Sequence, residues 1–303
     1  MRIVSLLPAA TEILAALGAA DEIVGITHEC DFPPELASRS RVTASAVDPH
    51  ASPAAVDAQV AALVAGGGAI FTVDDAAIAR IAPDVILTQA LCDVCAVSES
   101  DVRAIAARLA PAPRVVTLGG TTLDGVFEDV RRVGAVVARA GAADSLVASL
   151  VARLRQVHDT LGAAHAPRPR VAVIEWTEPV YAAGHWVPEM VRRAGGIDVL
   201  ASVGEHSRPR ALAEVAAAEP DVVIIAPCGY DASRAAAAAH RVLGRAGWGW
   251  ARGCRLWAIN ANGLVSRPGP RLVDGVETMA AMFNPQLFDP VTPDRAQCVL
   301  TPC

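Results

Sequence analysis

Residues 83–87 read Pro83-Asp84-Val85-Ile86-Leu87, and 137 positions later the chain reads Pro220-Asp221-Val222-Val223-Ile224. Each copy follows an Ala-rich stretch of helical character, 75–82 and 212–219. Each is a short apolar run rich in β-branched residues, the pattern of a strand buried on both faces. Working outward, Arg2-Ile3-Val4-Ser5-Leu6 has a counterpart in Arg170-Val171-Ala172-Val173-Ile174, and Arg114-Val115-Val116-Thr117 one in Arg255-Leu256-Trp257-Ala258. Strands of this kind alternating with helical stretches predict parallel sheets in a layered α/β fold. The duplication predicts two Rossmann-like lobes, an N-terminal α/β lobe over 1–120 and a C-terminal α/β lobe over 168–303 that ends in a short tail. Between them, 121–167 carries helical periodicity (Val126, Val130, Val133, Val137, then Leu146, Leu150, Leu154) with no proline before Pro167. It is expected to form a connecting backbone helix, with Gly134 and Gly141 as points where it kinks or splits. At about 1.5 Å per residue, 30–40 residues would reach roughly 45–60 Å.

The composition narrows the function classes. The 303 residues are 53% hydrophobic with 23 Gly and 21 Pro, an ordinary globular mixture. Acidic residues outnumber basic ones, 32 to 26, for a net charge of −6, so nothing draws the chain to nucleic acid. Every basic residue is Arg. The absence of Lys excludes a Walker-type phosphate loop, a pyridoxal Schiff base and a lysine nucleophile. No uncharged apolar run reaches the roughly 18–20 residues of a membrane helix; the longest, 58–73, is interrupted by Gly66-Gly67-Gly68. Membrane insertion is therefore not expected. The N-terminus imitates a signal peptide, but Pro8, Thr11 and Glu12 break its apolar stretch and residues 2–6 read as a strand. The expected location is cytoplasmic, or periplasmic if the sequence is a truncated piece.

In open α/β sheets ligands bind beyond the carboxyl ends of the strands, so the loops there carry the candidate chemistry. One holds Thr27-His28-Glu29-Cys30-Asp31, another Gln89-Ala90-Leu91-Cys92-Asp93-Val94-Cys95, and the repeat-equivalent loop of the second lobe holds Cys228-Gly229-Tyr230-Asp231. Cys92 and Cys228 lie 136 apart, one short of the repeat offset. His28, Cys30, Cys92, Cys95 and Cys228 thus form a candidate set for Zn²⁺ or another soft metal. A redox pair at Cys92–Cys95 and inert thiols are the other two readings. Cys254, Cys298 and Cys303 are bystanders.

The second lobe adds Trp176 after its first strand and then Tyr181-Ala182-Ala183-Gly184-His185-Trp186. Aromatic residues are only 4% of the chain, so this is a concentration, suited to stacking on a flat ligand as well as to core filling. Further on, Asn260 and the stretch Ser266-Arg267-Pro268-Gly269-Pro270-Arg271 precede the last helix and suit an anionic group. Nothing reads as a catalytic engine: no Gly-x-Gly-x-x-Gly follows a strand, and Gly-x-Ser-x-Gly and His-Glu-x-x-His are absent.

Several segments together resemble the helical-backbone substrate-binding proteins of ABC importers for vitamin B12 and iron chelates. They are 2–18 (Arg-Ile-Val-Ser-Leu-Leu-Pro-Ala-Ala-Thr-Glu-Ile-Leu-Ala-Ala-Leu-Gly), 23–27, 81–87, 191–196, 212–224 and 267–271. The resemblance spans nearly the whole chain and is greatest to the B12 branch. It implies two α/β lobes joined by a long helix, with a ligand cleft between them and no enzymatic activity. On it rests the expected function, a binding protein for a corrinoid such as cobalamin or a related metal chelate. Trp176 and Trp186 would stack on that ligand, Ser266 and Arg267 would hold its polar groups, and Gln89, His185, Tyr230 and Asn260 would complete the contacts. His28 or a thiolate would approach the metal. The alternative function is a cysteine-ligated metal-binding protein for trafficking or an unrecognised catalysis. Three features depart from the family: no export signal, which counts against an importer permease as partner, Gln89 where an aromatic residue is common, and the cysteines.

Overall fold

The computed structural model describes residues 1–90 and 97–301. The chain divides into two compact units, Met1–Gly120 with Asp124–Ala148, and Thr121–Leu123 with Ser149–Cys303. The N-terminal unit contains β1 (Ile3–Ser5), α1 (Pro8–Ala16), β2 (Ile23–Ile26), β3 (Ser40–Arg41), β4 (Thr43–Ser45), α2 (Pro53–Ala65), β5 (Phe71–Val73), α3 (Asp75–Ile81), β6 (Val85–Gln89), α4 (Glu99–Ala107) and β7 (Arg114–Leu118). Its sheet has the order β3-β2-β1-β6-β7, every pairing parallel. The strands β1 and β6 are buried along their whole length, as their uninterrupted apolar runs require.

Two helices fill the connecting stretch, α5 (Leu123–Val136) and α6 (Ala140–Ala163). The break is a Schellman-type stop: Ala138 adopts φ 55° and Arg139 N–H donates to Gly134 O at 2.7 Å. Gly134 permits the close turn, since a Cβ there would lie 2.4 Å from the Cβ of Ala143. At 24 residues, α6 is about 36 Å long, and the boundary between the units falls within it.

The C-terminal unit continues with β8 (Arg170–Thr177), β9 (Val180–Ala182), α7 (Val187–Arg193), β10 (Ile197–Asp198), β11 (Arg208–Pro209), α8 (Leu212–Ala217), β12 (Val222–Ile225), α9 (Ala232–Leu243), β13 (Arg255–Ile259), α10 (Ala261–Leu264), α11 (Leu272–Phe283) and β14 (Ala296–Leu300). Its sheet runs β11-β9-β8-β12-β13-β14, with β10 also on β8. The core β8-β12-β13 is parallel, while β9 and β14 are antiparallel.

The sequence repeat is reproduced bond by bond. The order β1-β6-β7 in one sheet matches β8-β12-β13 in the other. Arg2 N–H donates to Asp84 Oδ2 at 2.7 Å, and Arg170 N–H to Asp221 Oδ2 at 2.8 Å. The guanidinium of Arg2 reaches Ile81 O, and that of Arg170 reaches Ala218 O, the equivalent carbonyl. Ala82 and Glu219, 137 apart, hold left-handed φ values of 46° and 44°. Each Asp therefore ties the first strand to the loop that feeds the second, which explains why the Pro-Asp pair recurs.

Candidate functional site

The strand-end surface of the N-terminal unit is built around a threonine–histidine network. The Thr43 hydroxyl donates to Thr27 Oγ1 at 2.9 Å, and Thr43 Oγ1 accepts from His28 N–H at 3.0 Å. With its own proton spent on Thr27, Thr43 Oγ1 also accepts from His28 Nδ1–H at 2.7 Å. His28 is thereby held as the Nδ1–H tautomer, with the lone pair on Nε2, the arrangement by which a second-shell partner prepares a metal-binding imidazole. Burial, and then the charge of Arg41, lowers the pKa of His28, so the neutral ring predominates at neutral pH. A shallow recess of about 10 Å³, room for little more than one water molecule, lies here, lined by Leu6, Thr27, His28, Thr43, Phe71 and Val97.

Cys30 is buried behind this surface at 2% exposure, its sulfur 3.0 Å from Thr11 Oγ1, which in turn donates to Ser5 Oγ. Gln89, the last residue of β6, is buried at 9% exposure. Cys92 and Cys95 lie outside the described residues. Among the described residues no group of three or more His, Cys, Asp or Glu side chains is placed to hold a metal ion. Of the expected Zn²⁺ or soft-metal set, His28, Cys30 and Cys228 are therefore not gathered at one site.

In the C-terminal unit the loops at the carboxyl ends of β8, β12 and β13 are laced together. Cys228 N–H donates to Glu175 O, Tyr230 N–H to Pro227 O, and Asn262 N–H to Tyr230 O. Here the half-buried Trp176 meets Tyr230 edge-on, ring centroids 6.0 Å apart, and the guanidinium of Arg234 lies 3.7 Å above the Tyr230 ring. Tyr230 is itself buried at 3% exposure within the core of this unit, so the half-buried indole of Trp176 is the aromatic surface that remains for a flat ligand. Cys228 stands exposed on the same loop.

Other expected ligand contacts have structural duties. Asn260 caps α10, its Oδ1 accepting from Gly263 N–H at 2.9 Å. Trp186 is buried, and its Nε1–H donates to Val265 O at 2.7 Å. It thus anchors the loop that carries Ser266 and Arg267. Ser266 Oγ is buried without a hydrogen-bond partner, a costly state for a hydroxyl unless something satisfies it. Arg267 is buried to 8% exposure. His185 pairs with His206 rather than standing alone.

Arg234 was missed by sequence reasoning, although its place four residues after Tyr230, in the first turn behind the Asp231 cap, was a usable signal. Nothing in the sequence marked Thr43, the first residue of β4, or His206, in the loop before β11.

Residues 3–249 match the sequence profile of a family described as periplasmic binding protein. A cobalamin-binding protein of Halobacterium salinarum is 24% identical over 290 residues, covering 93% of this chain and 69% of the relative. Two solved structures share the fold. A periplasmic heme-binding protein from Pseudomonas aeruginosa has a TM-score of 0.74 at 20% identity, covering 100% of this chain and 99% of that one. The periplasmic vitamin B12-binding protein of Vibrio cholerae has a TM-score of 0.65 at 20% identity, covering 93% and 97%. These findings overturn the cytoplasmic expectation: proteins of this kind are periplasmic, which points to the periplasm or the cell exterior. The objection to a permease partner rested on the same reading of the N-terminus and falls with it. Among the described residues no helix is long and apolar enough to cross a membrane.

Proposed function

Since the chain belongs to the periplasmic binding protein family, whose members bind and do not catalyse, we propose that it captures a metal chelate of the corrinoid class and delivers it to an ABC permease. The observation that carries the reading is the Trp176–Tyr230–Arg234 wall. Its half-buried Trp176 indole, braced edge-on by the buried Tyr230, offers π surface for a conjugated macrocycle. Support also comes from the cobalamin-binding relative, which matches across most of the chain.

In this proposal Trp176 contacts the ring, with Tyr230 supporting the indole from behind, and Arg267 and the unsatisfied Ser266 hydroxyl bind its polar side groups. Trp186 and Asn260 position the loops. The test is a titration with cobinamide, cobalamin and hemin, followed by Trp fluorescence and visible absorbance. Saturable quenching with a red- or blue-shifted cobinamide band is expected at micromolar ligand or below. No change with any of the three at micromolar concentration refutes the proposal.

A further inference from the structure

Outside the aromatic wall, the loop after β9 and the loop before β11 bring two imidazoles together. His185 Nε2 lies 3.1 Å from His206 Nδ1, with the rings nearly perpendicular at 87°. The backbone holds them there. His185 N–H donates to Glu205 O at 2.6 Å, and Gly204 N–H donates to His185 O at 2.8 Å. Gly184 lies so close that a Cβ on it would sit 2.4 Å from Ser207 N and 2.5 Å from Glu205 O. His185 itself adopts φ 54°, a conformation that costs a non-glycine residue of order 1 kcal/mol or more and that clusters at functional sites.

We infer that His185 and His206 form a two-imidazole binding site for a divalent first-row transition ion of the nickel and copper class. Imidazole nitrogens favour such ions. A metal about 2.05 Å from both nitrogens at the observed separation subtends about 100° at the metal, between the square and tetrahedral angles. The site needs no new charge: the proton shared by the pair moves to the outward nitrogen of its own ring, leaving both facing nitrogens with lone pairs. His206 is exposed and His185 half-buried, so the remaining positions are open to water. Burial and the neighbouring His206 both lower the pKa of His185, which favours the neutral ring that a metal requires. The site stands apart from the chelate reading, because its donors are the imidazoles alone.

The probe is Ni²⁺, titrated calorimetrically into the ligand-free full chain under reducing, chelator-free conditions. Wild type is expected to show a Ni²⁺ site that His185→Gln and His206→Gln each weaken at least tenfold. His158→Gln, on a distant helix, should leave it unchanged. Glutamine preserves a side-chain hydrogen bond between the loops, and thermal melts confirm that the variants fold. Equal Ni²⁺ isotherms in wild type and both glutamine variants would show that the pair only ties two loops and would overturn the inference. So would the absence of Ni²⁺ uptake by wild type at millimolar metal.

Discussion

Asp198 ends β10 at the root of the loop that carries His206, and its carboxylate is costly to keep charged. Oδ1 accepts from Leu200 N–H at 2.9 Å and Ala201 N–H at 3.0 Å. Burial outweighs these bonds and the charge of Arg210, and raises its pKa from 3.8 to about 6. The folded pKa lies above the unfolded one, so the folded state holds the proton more tightly. The stabilisation from Asp198 is therefore complete below pH 3.8 and is lost as the pH rises through about 6. The full swing is about 3 kcal/mol, and the part falling between pH 4.5 and 8 is at most about 2 kcal/mol, because the side chain keeps some solvent contact. Asp198→Asn retains an acceptor for both backbone N–H groups and removes the charge. Urea denaturation at pH 4.5 and pH 8 should show the variant gaining on wild type by about 1–2 kcal/mol at the higher pH. Parallel stabilities across that range, within about 0.5 kcal/mol, would refute the assignment of this burial penalty.

Three further outcomes follow from the packing. Arg153 joins α6 to α11 through Glu277 at 2.8 Å and through Asp274; these groups keep solvent contact, so Arg153→Met should cost about 1 kcal/mol in chemical denaturation. Gly184→Ala forces a methyl group onto the backbone of residues 205–207 and should destabilise by about 1–3 kcal/mol while separating His185 from His206, read by thermal melts and imidazole NMR shifts. Trp186→Phe removes the donor to Val265 O, which should cost about 1–2 kcal/mol and weaken chelate binding through the displaced Ser266–Arg267 loop.

The strands were legible because burial on both faces writes itself as an unbroken apolar run, and because the Pro-Asp tie had to be repeated wherever the same strand-feeding turn recurred. Residues 85–89 and 222–225 fall where the repeat places them. The stop at Ala138 was harder to see. An alanine in a left-handed cap carries no glycine signature, and Gly134 acts through close approach to Ala143 instead of through its own dihedral. The same limit applies to the site. Tyr230 and Trp176 could be named from strand ends, but Arg234 over the ring, Thr43 behind His28 and His206 beside His185 are pairings made by tertiary contact. Trp186 and Asn260 show the converse: a side chain at a promising position can be consumed by holding a loop in place.

The most direct test of the chelate-binding claim is calorimetric titration of cobinamide into wild type and Trp176→Ala. One ligand per chain should bind wild type, and loss of the indole face should weaken binding by about 2 kcal/mol, roughly 30-fold. Absence of binding to wild type, or identical isotherms for the two proteins, would contradict the account.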